Sequence, residues 1–185
     1  LASALGKQER GQTQILVAPT MHGSMHNALL SESLNHLQSL GVTVIPPLQA
    51  EGKDLLPDLA EIVMRTARTL SHSRLRGQAL LVTGGPTPVP LDGIRRLTNR
   101  FTGQLGVEIA QALWLRGAEV QLILGQSGLV PPSWLPHVIV PDYATYHSTV
   151  IETLSSQPYR AGIFSAAVAD YAPEQVYDGK LPSGQ

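Results

Sequence analysis

The amino-acid sequence predicts an α/β protein built on a doubly wound parallel sheet. Two observations carry that prediction. Short apolar runs at 79–83, 119–124, 137–140 and 162–165 have the length and make-up of strands buried on both faces. Residues 103–116 and 144–155, lying between such runs, read as helices, so strands and helices alternate. Ligands of such sheets sit at the carboxyl ends of the strands, which singles out the loops 84–102, 125–136 and 166–185.

Taken in order, residues 14–18 read as a buried strand ending at Pro19, and 20–27 as a polar loop. Ser31 to Leu40 reads as a helix with Leu30, Leu34, Leu37 and Leu40 inward and Gly41 as its cap. Val42 to Ile45 is a second strand closed by Pro46-Pro47, which makes one β–α–β unit. Residues 48–57 read as loop. Asp58 then caps a helix through Leu70, built on Leu59, Ile62, Val63, Ala67 and Leu70. The polar stretch 71–78 is the expected linker between a domain at 1–70 and another at 79–185. The second domain leaves its first strand through a loop with Gly84-Gly85 and three prolines. Its first helix places Leu105, Ile109, Ala112 and Leu113 on the inner side and stops at Gly117.

Composition narrows the function classes. Lys+Arg 13 against Asp+Glu 14 gives a net charge of -1, so nothing directs the chain to nucleic acid or an anionic membrane. There is no cysteine, which excludes disulfides, a cysteine nucleophile and thiolate metal sites. Mean hydropathy is +0.03. No apolar run approaches the roughly 20 residues that span a bilayer, and the first residues lack the apolar core of a secretory signal. A cytoplasmic protein is expected.

Four stretches offer chemistry. Gly84-Gly85-Pro86-Thr87 could cradle phosphate with its backbone, or simply let the chain turn. It is neither the G-x-G-x-x-G dinucleotide fingerprint nor a Walker loop. At the helix start, Asn99, Thr102 and Gly103 can cap N–H groups or admit a ligand, and a neutral amide can hold an acyl or phosphoryl oxygen. Arg95-Arg96 in the same loop is a solvated pair or an anion clamp. In Ser165-Ala166-Ala167-Val168-Ala169-Asp170, small residues leave room for a flat ligand, and Asp170 can accept hydrogen bonds from a ribose or cap a helical turn. Lys180 reads by composition as an ordinary loop lysine. His22 and His26 have the i, i+4 spacing of a metal pair but lack a third ligand, and no metal site is expected.

Gly85-Pro86-Thr87, Pro90-Leu91-Asp92, Arg95, Thr98-Asn99, Thr102-Gly103 and Gly106 together resemble the signature of the phosphopantothenoylcysteine synthetase family. Arg116 to Val120 and Ala166 to Tyr171 continue the likeness, which covers about residues 79–180. Residues 1–70, with Ala18-Pro19-Thr20-Met21 and Met25, resemble the last part of the flavin-dependent decarboxylase to which that synthetase is fused in bacteria. The resemblance implies a Rossmann-like doubly wound parallel sheet preceded by a partial flavodoxin-like β–α–β segment. It also implies ligation of 4'-phosphopantothenate to cysteine through an acyl-cytidylate, with CTP as substrate and Mg²⁺, in coenzyme A biosynthesis. FMN is implied only where a complete decarboxylase domain is present. The partners implied are these small molecules and a second copy of the chain, as a homodimer or higher homo-oligomer.

Carried over by motif, Asn99 stabilises the acyl-cytidylate and Lys180 neutralises phosphate charge as the first lysine of a mobile basic flap. Gly84, Gly85, Pro86 and Thr87 line the phosphate loop, with Arg95, Thr102 and Gly103 beside it. Ala166, Ala167 and Asp170 contact the nucleotide, Asp170 at the ribose. This sequence departs from the family at Thr87-Pro88-Val89-Pro90, where the family has Thr-Arg-Glu-Pro, and at Asn99 to Gly103, where it has Asn-His-Ser-Ser-Gly. Pro182-Ser183 stand where later flap lysines are expected, and the family continues past the position of Gln185 with further strands. His22 replaces the asparagine expected after Met21, and no decarboxylase activity is expected. A non-catalytic, flavin-binding or regulatory relative is the alternative. A nicotinamide-dependent oxidoreductase is disfavoured by the missing glycine fingerprint.

Overall fold

A computed structural model describes residues 2–22, 27–50 and 53–180. The chain divides into two compact units, Leu1–His72 and Ser73–Gln185.

The first unit contains α1 (Ala2–Glu9), β1 (Leu16–Val17), β2 (Met21–His22), α2 (Ala28–Ser39), β3 (Thr43–Val44), β4 (Leu48–Ala50), β5 (Lys53–Leu55) and α3 (Leu59–Leu70). β1 and β3 pair in parallel around α2, with Leu16 opposite Thr43, as the predicted β–α–β unit requires. Asn27 caps α2 by accepting the Leu30 N–H at 2.9 Å. Asp58 caps α3 through Ala60 N–H.

Several expectations for this unit fail, among them the polar loop at 20–27, where Met21 and His22 form β2. The segment read as loop, 48–57, contributes β4 and β5, which pair antiparallel with each other and with β2. On α3, Leu59, Val63 and Leu70 are exposed at 72%, 57% and 55%, so most of the face taken as inner is the outer one. Leu40 is likewise exposed. Helix α1 lies in a stretch for which no element was expected. The unit's firmest anchors are Val42 and Ile45, both buried beside the β1–β3 pair. Residues 23–26, including His26, and 181–185, including Pro182-Ser183, lie outside the described residues.

The second unit holds β6 (Ala79–Gly84), β7 (Pro86–Thr87), β8 (Val89–Pro90), β9 (Arg96–Leu97), α4 (Gln104–Leu115), β10 (Glu119–Gly125), β11 (His137–Val140), α5 (Tyr143–Ser156), β12 (Ala161–Phe164) and β13 (Ala167–Val168). Its central sheet runs β11-β10-β6-β12 with every pairing parallel. In order of appearance that is third, second, first, fourth, one arm of a doubly wound sheet, with the order reversing between β6 and β12. Leu81 and Ile123 pack with Tyr146 and Val150 of α5. Gly84 and Leu124 meet α4 on the opposite face, so both faces carry a helix.

The inner side of α4 is formed by Gly106, Val107, Ala110 and Trp114, and not by Leu105, Ile109, Ala112 and Leu113 as expected. Small residues at 106 and 110 let the helix axis approach the sheet, which turns Leu105 out to 63% exposure. Trp114 stacks on Trp134 of the proline-bearing loop, with ring centroids 4.5 Å apart. Most of the expected linker belongs to this unit. Gly77 N–H donates to the Gly117 carbonyl at 3.0 Å, and Gln78 N–H to the Leu75 carbonyl at 2.9 Å.

Candidate functional site

Where the strand order reverses, a cleft lies beyond the carboxyl ends of β6 and β12, between the start of α4 and the β12–β13 turn. It has a volume of about 350 Å³ and is lined by Gly85, residues 101–106 and residues 165–167. Three backbone segments therefore build it: the exit of β6, the start of α4 and the β12–β13 turn.

Glycines set its geometry by allowing backbones to touch. A Cβ placed on Gly106 would lie 2.9 Å from Gly84 Cα. One on Gly103 would lie 2.9 Å from Gly85 N, and one on Gly85 would lie 2.7 Å from the Gly125 carbonyl oxygen. Gly85 and Gly103 also have φ of +77° and +86°, a region costly for other residues. The N-terminus of α4 is thus pressed against the end of β6. Gly103 supplies no capping side chain, and Thr102 Oγ1 accepts the Gln104 N–H at 3.3 Å instead. The Leu105 and Gly106 N–H groups belong to the first turn, which has no intrahelical acceptor, and these residues line the cleft. Together with the helix dipole they suit an anion.

The opposite wall is stitched to β6. Ser165 donates to the Thr83 carbonyl from its N–H at 3.2 Å and from its hydroxyl at 2.6 Å. Ala166 N–H donates to Thr83 Oγ1 at 3.4 Å, and Ala167 N–H to the Gly85 carbonyl at 2.8 Å. β13 then pairs in parallel with β7, Ala167 opposite Pro86. The loop after β10 closes on the rim, where the Ser127 hydroxyl donates to the Thr102 carbonyl at 2.5 Å.

Of the residues singled out in the sequence, Gly85, Thr102, Gly103, Ala166 and Ala167 line the cleft, and Gly84 lies buried beneath it. Asn99 stands beside it. Its amide nitrogen reaches the Ala167 carbonyl at 3.1 Å and the Val168 carbonyl at 3.3 Å, so it ties the loop before α4 to β13. Asp170 is exposed, two residues past β13. Pro86 and Thr87 are buried in β7 and do not line the opening; the Thr87 hydroxyl donates to the Ala167 carbonyl at 3.4 Å.

Arg95 and Lys180 lie elsewhere. Arg95 serves the hairpin formed by β8 and β9: its Nε and Nη2 reach Asp92 Oδ2 at 2.8 and 2.6 Å, and the Asp92 side chain is fully buried. The Gly93 N–H of this hairpin tip donates to the Gly179 carbonyl at 2.9 Å, which places exposed Lys180 next to the tip. Among the described residues no group of three or more His, Asp or Glu could hold a metal ion, and no helix is long and apolar enough to cross a membrane.

Sequence reasoning missed Thr83, Tyr146 and Ser127, which hold the walls, and read Ser165 only as a small residue of its stretch. A threonine inside an apolar strand was the available signal, since a buried hydroxyl needs a partner.

Comparison with known proteins agrees with this architecture. The chain is 37% identical over 175 residues to the coenzyme A biosynthesis bifunctional protein CoaBC of Thermococcus kodakarensis, covering 94% of this chain and 43% of that protein. It is 30% identical over 174 residues to the CoaBC protein of Vibrio cholerae, covering 90% and 43%. The chain thus spans less than half the length of these curated relatives. A crystal structure of the C-terminal domain of CoaBC superposes with a TM-score of 0.50 at 36% sequence identity, covering 56% of this chain and 52% of that one. The model of the DNA/pantothenate metabolism flavoprotein C-terminal domain matches residues 75–184, nearly all of the second unit, and the chain belongs to that family.

Proposed function

We propose that the second unit carries the nucleotide cleft of a CTP-dependent ligase joining 4'-phosphopantothenate to cysteine through an acyl-cytidylate, within coenzyme A biosynthesis. The observation that supports this most is the cleft at the strand-order reversal, walled by the glycine-packed start of α4 and by Ser165 to Ala167. The names of the relatives point to the same pathway.

Activating a carboxylate with a nucleotide demands little nucleophilicity from side chains. It demands position, charge neutralisation at phosphate and donors for a developing oxyanion. In this reading the Leu105 and Gly106 N–H groups receive a phosphate oxygen, and the small side chains of Ala166 and Ala167 let the nucleotide lie against the backbone. Asp170 accepts from the ribose hydroxyls. Asn99 exchanges one of its two carbonyl partners for the acyl-cytidylate, and Lys180 moves in from the hairpin tip to meet phosphate charge. Mg²⁺ would be carried by the phosphate oxygens, because the described residues offer no acidic cage for it. When bound it would offset phosphate charge. Flavin belongs to this reading only where a complete decarboxylase domain is present. A homodimer or higher homo-oligomer is part of the proposal.

Titration calorimetry of the full-length protein with CTP and Mg²⁺ tests the reading, together with an assay of CMP release in the presence of cysteine. Binding and release are expected, with product formation lost in Asn99→Asp and Lys180→Gln. A full-length protein that ignores CTP but shows a flavin absorption band would favour the non-catalytic, flavin-binding alternative.

A further inference from the structure

Tyr146 and Thr83 sit outside the cleft, on the α5 side of the sheet. Thr83 is fully buried, and Tyr146 is 8% exposed within the cluster formed by Leu81, Ile123, Val140 and Val150. Ala166 packs against that same cluster, so a cleft residue rests on the core that α5 builds. Tyr146 OH donates to Thr83 Oγ1 at 3.2 Å, and the Ala166 N–H donates to the same oxygen.

A hydroxyl is donor and acceptor together and rotates to suit its neighbours. With a tyrosine proton on one side and an amide proton on the other, Thr83 Oγ1 is held as an acceptor toward both. Without the tyrosine proton, the threonine hydroxyl is free to turn its own proton toward Ala166. The Ser165 contacts do not share this dependence, because they use the Thr83 carbonyl.

We propose that Tyr146 is a positioning residue, acting through Thr83 Oγ1 to fix the Ser165–Ala166 backbone that walls the cleft. The inference takes its ligand, CTP, from the reading above, and its geometry stands apart from that reading.

The test compares Tyr146→Phe, Thr83→Val and Thr83→Ser in the full-length protein. Amide hydrogen exchange at Ala166 is expected to quicken at least about fivefold in Tyr146→Phe and Thr83→Val, the loss of one buried hydrogen bond. It stays near wild type in Thr83→Ser, which keeps the oxygen, while α4 amides are unaffected in all three. CTP affinity is expected to fall by a comparable factor in the first two variants and to be retained in Thr83→Ser. Unchanged exchange at Ala166 in Tyr146→Phe overturns the proposal, as does unchanged CTP affinity when the wild type binds CTP. A loss in Thr83→Ser as large as that in Thr83→Val overturns it too, since keeping the hydroxyl would then preserve nothing. A wild type that does not bind CTP refutes the ligase reading, and the exchange comparison then decides the Tyr146–Thr83 link alone. Should Thr83→Val fail to fold, Tyr146→Phe against Thr83→Ser decides.

Discussion

Gly84 and Gly106 meet backbone to backbone: a Cβ on either would stand 3.1 or 2.9 Å from the other's Cα. This contact seats the first turn of α4 on the end of β6. Gly106→Ala gains helix propensity of about 1 kcal/mol but forces two backbones apart, a distortion of about 1–3 kcal/mol. The distortion wins because the clashing atoms are main chain and have no rotamer to change. Urea denaturation is expected to show a net loss on the order of 1 kcal/mol, with weakened CTP binding in the full-length protein. A variant as stable as wild type, with CTP affinity intact, would count against the close seat.

The sheet was legible in the sequence because its strands are short apolar runs punctuated by glycine and proline. Residues 137–140 form the strand as read, and α5 differs from its expected bounds by a residue at each end. The inner face of α4 was not legible, because periodicity weighs large apolar side chains and the seat is made by Gly106 and Ala110. On α3 the same rule chose Leu59 and Val63, and most of that face is exposed. The strands β7, β8, β9 and β13 are two residues each, too short for any alternation to mark them. The cleft was found through its glycines and alanines. The hydroxyls beneath it were not, since a single threonine in an apolar run carries no spacing signal.

Asp92 gathers the hairpin tip. It accepts the Ile94 and Arg95 N–H groups at 2.8 and 2.6 Å as well as the Arg95 guanidinium. Replacing Arg95 by methionine keeps the stem and leaves the buried carboxylate without its counter-charge. Breaking a buried pair costs about 3–5 kcal/mol, but the Arg95 side chain is 43% exposed, so a loss on the order of 2 kcal/mol is expected. Asp92→Asn should lose a similar amount, because an amide cannot accept on both sides. Thermal denaturation of the two variants checks this, and a loss under about 0.5 kcal/mol in both would show the pair to be a surface interaction.

Asp142 caps α5, accepting the Thr145 N–H at 2.8 Å. That backbone bond, then the Thr145 hydroxyl, with the Arg96 charge adding to them, holds its carboxyl below the usual 3.8. The unfolded chain therefore binds this proton at a higher pH than the folded one. The resulting stability is complete above the usual value and drains away as pH falls through the folded value. Asp142→Ala is expected to cost about 1 kcal/mol at pH 7. Urea midpoints of wild type and variant should then converge as pH drops below about 4. A gap that stays constant from pH 7 to pH 3 would assign the cost to something other than the ionised cap.

The two units differ in how their helices are held. No described residue of α1, α2 or α3 is buried, whereas α4 buries four and α5 two. Apolar burial is the main term holding a helix in place, so the first unit should open before the second. The chain has two tryptophans, and both sit at the Trp114–Trp134 contact in the second unit. Heating this chain should therefore give one transition by tryptophan emission and an earlier loss of helical circular dichroism. For domains of this size a stability gap of 1 kcal/mol separates midpoints by about 4–8 °C, which a standard scan resolves. Trp134→Phe should lower the emission midpoint and leave the earlier dichroism step in place, because the contact it weakens lies in the second unit alone. Coincident transitions by both probes in the wild type would mean that the units unfold as one.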